Sequence, residues 1–311
     1  MTEQFWPQTV DGLTLGAIYA LIALGYTLVY GVLRLINFAH SEVFMVGAFG
    51  SLFALHAIGF DTAHAPPHGL VLVGVLVLVV LAGMIASGVL AVVLERLAYR
   101  PLRKRGAPRL AFLITAIGAS LLLQELFALR YGRNALAFPR LLARSTAFKI
   151  FGAPVQVPQI VVVASAIGMM LALDRFVANT KLGRGIRATA QDPETAQLMG
   201  VNINRIIVVT FILGGVLAGG AAGLYGIYVE TIRYNGGFIY GIKAFTAAVL
   251  GGIGNVRGAL LGGFALGLLE NYGATVLGGE WKDVFAFTIL VVVLMFRPTG
   301  LLGEQLGRSR A

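Results

Sequence analysis

Residues Val71–Leu94, VLVGVLVLVVLAGMIASGVLAVVL, carry no charged side chain. At about 1.5 Å per residue a helix of this run reaches roughly 36 Å, enough to cross a bilayer with some tilt. Working outward, similar apolar runs cover about Gly12–Val32, Phe38–Ile58, Leu110–Leu129, Ile160–Leu173, Ile206–Tyr228, Ala259–Leu277 and Val284–Phe296. A ninth segment, Ile239–Leu250, is short, carries Lys243 and runs into Gly251-Gly252-Ile253-Gly254-Asn255. It reads as a half-helix or re-entrant piece. The expected fold is an all-α, polytopic integral membrane protein with eight or nine membrane segments.

Composition agrees. Of 311 residues, 58% are hydrophobic and only 12% charged, with a mean hydropathy of +0.84. A soluble domain has roughly twice that charge fraction. Forty-one glycines against ten prolines fit membrane helices, whose backbones approach closely over small residues. With no cysteine, disulfide scaffolds, thiol nucleophiles, iron–sulfur clusters and thiolate zinc sites are excluded. Residues 1–9 contain no Lys or Arg and the first apolar run is too long for a signal-peptide core, so no cleavable leader is expected.

The net charge of +10 speaks to orientation before it speaks to nucleic acid, because Lys and Arg concentrate in cytoplasmic loops. Arg96, Arg100, Arg103, Lys104, Arg105 and Arg109 place one loop inside; Arg175, Lys181, Arg184, Arg187 and Arg205 place another. Gly59–Gly69 and the acidic N-terminus belong outside, and Arg308 and Arg310 put the C-terminus inside. Opposite termini need an odd number of crossings, which favours counting the ninth segment. Arg130–Pro158 argues against this scheme, being external yet carrying Arg130, Arg133, Arg140, Arg144 and Lys149. Gly12–Val32 and Ile206–Tyr228 are both Gly/Ala-rich, each followed by a polar break and an unusual apolar segment, and they run in opposite directions. That is the pattern of an inverted repeat, which places a transport path at the repeat interface.

Three stretches stand out as candidate sites. Asn37-Phe38-Ala39-His40-Ser41-Glu42 opens the second segment with polar groups at a depth where they face a cavity or a partner. If helical, Asn37 and Ser41 share one face, Phe38 and Glu42 another. The alternative is plain capping by Asn37 and Ser41, with Glu42 near the helix dipole. Gly251, Gly252, Gly254 and Asn255 read either as a broken helix lining the path or as a tight cytoplasmic turn, with packing favoured. In the loop Lys181–Asn204, Asp192 is a plausible N-cap, Pro193 suits the first helical position, and Gly200 a left-handed stop. A short capped helix Pro193–Met199 suits docking onto a soluble partner better than a solvated connector.

Other patterns are decoys. Gly183-Arg184-Gly185 with Ala188 mimics a dinucleotide fingerprint but lacks a βαβ unit, and no P-loop occurs. His64 and His68 have ligand spacing, but Pro66 and Pro67 intervene, so no metal site is expected. Glu95–Arg96 and Asp174–Arg175 are expected at span ends, reaching the interface. Glu125, Glu270 and Lys243 lie deeper and stay open. No paired carboxylates or nucleophile–base set can be defended, so the chain is not read as an enzyme.

Taken together, Gly12–Leu21, Leu35–Glu42, Glu95–Pro101, Asp192–Gly200, Lys243–Gly254 and Arg297–Gly300 resemble the permease subunits of bacterial branched-chain amino-acid ABC importers, most closely the LivH type. Ser41 stands where that family usually has Gly, and Asn255 where Ser is common. The resemblance implies one permease domain over 1–311: a first half of about 10–150, a cytoplasmic coupling loop of about 178–205 and a second half of about 206–302. Its coupling residues would be Arg187, Asp192, Pro193, Glu194, Thr195, Ala196 and Gly200. Implied partners are a second related permease, two cytoplasmic ATPases that hold the ATP and Mg this chain does not bind, a periplasmic amino-acid-binding protein and membrane lipid, with no nucleic acid. The implied place is the bacterial inner membrane. Urea or short-amide permeases and an ion-coupled secondary transporter are the rival readings; the latter gives the Asp192–Gly200 helix no role.

Overall fold

A computed structural model describes residues 2–297 and 299–303 of the chain. Pro298, Arg308 and Arg310 lie outside the described residues. The nine apolar runs become nine helices: α1 (Thr2–Leu33), α2 (His40–Ala57), α3 (Gly69–Leu94), α5 (Arg109–Tyr131), α6 (Val157–Asn179), α9 (Ile203–Val229), α10 (Gly236–Gly251), α11 (Val256–Leu277) and α12 (Lys282–Phe296). Among the described residues six helical stretches are long and apolar enough to cross a membrane; α2, α10 and α12, of 18, 16 and 15 residues, are not among them.

Local chemistry fixes the helix ends. α9 starts where the Asn202 side chain accepts from the Arg205 N–H at 3.0 Å. α6 starts at a reciprocal Gln156/Gln159 capping box with Pro158 in its first turn, so orphan donors are satisfied at both starts. α3 does not stop at Leu94. It continues through a π-turn, Glu95–Tyr99, into α4 (Arg100–Lys104). The extra residue of a π-turn rotates the helix face that follows. Here it turns Tyr99 into the core, 1% exposed.

Packing follows a two-fold rule. α1 lies along α11 and α3 along α9; α2 packs on α3 and α9, and α10 on α11 and α1. Exchanging α1 with α9, α2 with α10 and α3 with α11 maps each of these contacts onto another. The central pairs α1–α9 and α2–α10 map onto themselves. The inverted repeat expected from sequence is thus present in the packing. Glycine lets the symmetric pairs close: a Cβ on Gly219 would lie 2.1 Å from the Gly83 carbonyl oxygen, and one on Gly267 2.3 Å from that of Gly12. Neither site can hold a larger residue without separating the helices.

The 178–205 segment is more ordered than a loop. α7 (Lys181–Gln191) and α8 (Pro193–Leu198) fill most of it. The other long connection, 132–156, adds short β-ribbons to the helical fold: β1 (Leu136–Ala137) pairs antiparallel with β4 (Thr231–Ile232), and β2 (Thr146–Ile150) with β3 (Ala153–Gln156). Of the five basic residues of 130–158, three are paired and share two carboxylates, so the stretch stays net basic and still counts against an external placement. Arg133 bonds Glu125 at 2.8 Å, Arg140 and Arg144 bond Glu230 at 3.0 and 3.1 Å, and the Arg130 guanidinium lies 5.1 Å from the Tyr131 ring centre.

Candidate functional site

The break after α1 begins at Arg34, a non-glycine residue with φ +52°. Its left-handed backbone turns the chain back into the bundle. α2 then starts at His40, beside Gly25, which lies eight residues or about 12 Å before the end of α1. The N-cap is Ala39 and makes no side-chain capping bond. Capping by Asn37 and Ser41 is therefore not what these residues do. The expected face-sharing also fails, because Asn37 and Phe38 precede the helix.

Each polar group is instead held across the bundle. Asn37 Oδ1 accepts from the Tyr99 hydroxyl at 2.5 Å, the contact created by the π-turn. Ser41 Oγ donates to the Phe38 carbonyl at 2.6 Å. His40 is buried edge-on against Tyr26, ring centres 4.7 Å apart, and Phe38 lies against Phe245 at 5.8 Å. Glu42 is fully buried. Its Oε1 accepts from Gln124 Nε2 at 2.9 Å and Ser120 Oγ at 3.1 Å, with Ser41 Oγ, whose proton goes to Phe38, 3.3 Å away. Its Oε2 has no hydrogen-bond partner among the described residues.

α10 starts next to this cluster. Gly241 is pressed against Ser41, and Gly237 against Glu42 and Met45, so the two short helices lie side by side inside the bundle. The mirror break after α9 turns at Glu230, φ +59°, the second non-glycine residue in left-handed conformation closing a long helix. Gly251, Gly252, Gly254 and Asn255 sit at the opposite end of α10, away from the Glu42 cluster. They form the tight turn into α11: Gly252 and Gly254 have φ +109° and +98°, and Asn255 Oδ1 accepts from the Arg257 and Gly258 N–H groups. Leu301 and Leu302 strap this turn, their N–H groups donating to the carbonyls of Leu250 and Gly251 at 2.8 and 2.9 Å.

In the 178–205 segment the predicted short helix is α8, one residue shorter than expected. Asp192 accepts from the Glu194 and Thr195 N–H groups at 3.0 and 3.3 Å, and Gly200 stops the chain at φ +84°. The Thr195 hydroxyl first, then the backbone donors, hold the Asp192 carboxyl below the usual carboxylate range. Ala196 is buried while Leu198 and Met199 are 87% and 81% exposed, an apolar tip on a polar loop. Beside it lies a groove of about 540 Å³ lined by Arg103, Lys104, Pro193, Glu194 and Gln197. Arg187 donates to the carbonyls of Val177 and Ala178, closing the C-terminus of α6. Arg34, absent from the sequence-based candidates, donates to the carbonyls of Ala190 and Gln191 at 3.5 and 3.0 Å. The start of the re-entrant break is thereby tied to the end of α7, one residue from the Asp192 cap.

The remaining charges are also placed. Lys243 bonds Glu270 at 2.8 Å and Asp283 at 2.6 Å, joining α10, α11 and α12. Glu95 does not reach the interface as expected; it is fully buried and paired with Arg103 at 2.9 Å. His64 pairs with Asp61. Tyr99, Ser120, Gln124 and Arg34 were all missed by sequence reasoning, since each acts on a residue distant in the chain.

A bundle of opposed helical halves, with two short helices starting inside it and a capped helix projecting from one face, defines a membrane transport permease. The model of the family described as "Branched-chain amino acid transport system / permease component" matches residues 8–294, and the chain belongs to that family. It is 43% identical over 300 residues to the high-affinity branched-chain amino-acid transport system permease protein BraD of Pseudomonas aeruginosa, covering 96% of this chain and 95% of that one. It is 40% identical over 317 residues to the permease protein LivH of Escherichia coli K12, covering 98% of each. The probable LivH protein of Methanocaldococcus jannaschii is 29% identical over 91% of this chain and 88% of its own length.

Proposed function

We propose that this chain is one permease subunit of an ATP-driven importer that moves branched-chain amino acids across the bacterial inner membrane. It works beside a second, related permease and two cytoplasmic ATPases that hold ATP and Mg, and receives its cargo from a periplasmic binding protein. The observation that carries this reading is α8: a capped six-residue helix with an exposed Leu198–Met199 tip, tied through α7 and Arg34 to a polar break inside the bundle. A helix so placed can pass the motion of a docked ATPase to Asn37–Glu42, which we assign to the substrate path. Gly252–Asn255 then serves as the fixed pivot at the far end of α10.

Labelled leucine uptake, measured with and without the gene at low ligand concentration, tests the reading. Uptake lost with the gene and restored with it supports the importer. Uptake unchanged, with other carriers removed, moves the cargo toward urea or short amides. E194K, or replacement of Pro193 and Gly200, should leave the complex assembled while ATP hydrolysis no longer drives uptake; normal uptake by these variants would remove the coupling role of α8.

A further inference from the structure

Glu42 is the one carboxylate of the break, and its neighbours do not complete it; the buried His40 Nε2 beside it also has no partner among the described residues. Of its two carboxylate oxygens, Oε1 accepts from Gln124 and Ser120, and Oε2, equally buried, has no partner among the described residues. A buried acceptor left open in hydrocarbon surroundings is costly unless something visits it. Oε2 faces the first turn of α10, where a Cβ on Gly237 would lie 2.9 Å away; with glycine there only backbone stands beside the buried oxygen. Glu42 also stands in the first turn of α2, so the positive ends of two helix dipoles converge on it and favour negative charge at this point. Among the described residues no lysine or arginine forms an ion pair with it. Tyr26, which meets Ser41 at Gly241, packs in turn on Phe245, and Phe245 on Phe38, so an aromatic cluster that suits an aliphatic side chain adjoins the break.

We propose that Glu42 Oε2 receives the α-ammonium group of the amino acid in transit, while Ser120 and Gln124 hold the carboxylate in place for it. The inference rests on the transport reading above and deepens it: a substrate bearing a primary ammonium group is matched by the open oxygen, whereas a neutral amide is not. Ser120 and Gln124 are positioning residues, since they reach the substrate only through Glu42.

The test uses the complete importer with its partner subunits. E42Q keeps the size and the acceptor oxygen that Ser120 and Gln124 need but removes the charge. Leucine uptake should fall about tenfold or more in E42Q, the scale of a lost charge-assisted hydrogen bond, while the complex still assembles and E42D recovers part of the rate. Uptake by E42Q at the parental rate would overturn the proposal and leave the permease reading standing. Absence of gene-dependent leucine uptake in the parent would instead strike the permease reading.

A second measurement does not depend on uptake. Because the chain has no cysteine, S120C introduces a unique thiol beside Glu42. During turnover, 2-aminoethyl methanethiosulfonate should modify it faster, relative to the neutral methyl reagent, than in S120C combined with E42Q. Equal ratios in the two backgrounds, or no modification by either reagent, would overturn ammonium recognition at this site.

Discussion

The two halves of the bundle share a plan and differ in what they tie it to. In the first, α1 ends at Arg34, whose side chain donates to two carbonyls at the end of α7. In the second, α9 ends at Glu230, whose carboxylate takes Arg140 and Arg144 of the 132–156 connection. Both turns have the same left-handed backbone, and each anchor bears the charge its own side calls for: a cation on helix C-terminal carbonyls, an anion among arginines. The duplication therefore supplies matching breaks, and the anchors specialise them, one toward α7 and one toward the 132–156 connection. Beyond the anchors the halves diverge again. The first break holds the open Glu42, whereas the charge on α10, Lys243, is fully paired.

The most damaging way to break this symmetry is at the glycine contacts. G219V and G267V should each abolish assembly, because the backbone opposite leaves no space for a side chain; size-exclusion profiles of the purified complex check this, and a normal profile for either would deny equivalence of the halves. Next come the anchors. R34A should assemble, retain ATP hydrolysis and lose most leucine uptake, with R34K partly active; E230Q should keep hydrolysis coupled while uptake falls only severalfold. Equal, mild losses in both would mean that the anchors merely stabilise turns. Y99F should cost about 1–3 kcal/mol by leaving buried Asn37 Oδ1 without its donor. Thermal denaturation of Y99F, N37L and the double variant checks it, since the pair should be non-additive. Smallest is R133A. Its partner Glu125 is half exposed, so stability should change by less than about 1 kcal/mol, and uptake not at all.

Much of this was legible in the sequence wherever a signal is local. Uncharged runs mark the helices, Asp192-Pro193 and Gly200 mark both ends of α8, and paired Gly/Ala-rich helices followed by polar breaks reveal the repeat. What was hidden is carried by distant partners. Glu95 resembles a residue at a span end until Arg103 is brought under it by a π-turn that no composition announces. The same turn delivers Tyr99 to Asn37 and makes a capping residue into a buried acceptor. Arg34 is one arginine among many by sequence, and only its left-handed backbone and its two carbonyls single it out. α7 was taken for loop because its glycines and arginines lack an apolar stripe long enough to span; one of them, Gly183, is small to fit against the Phe176 and Val177 carbonyls.

The strap formed by Leu301 and Leu302 has a consequence for biosynthesis. The carbonyls it satisfies belong to Leu250 and Gly251, made about 50 residues earlier, which at 5–20 residues per second is a wait of roughly 3–10 s. Throughout that interval α10 stands with an open C-terminal end while α11 and α12 are still being inserted. The turn that joins the short helix to its successor is thus completed late in translation, and a ribosome stalled before residue 300 would release a bundle whose inner helix has no latch.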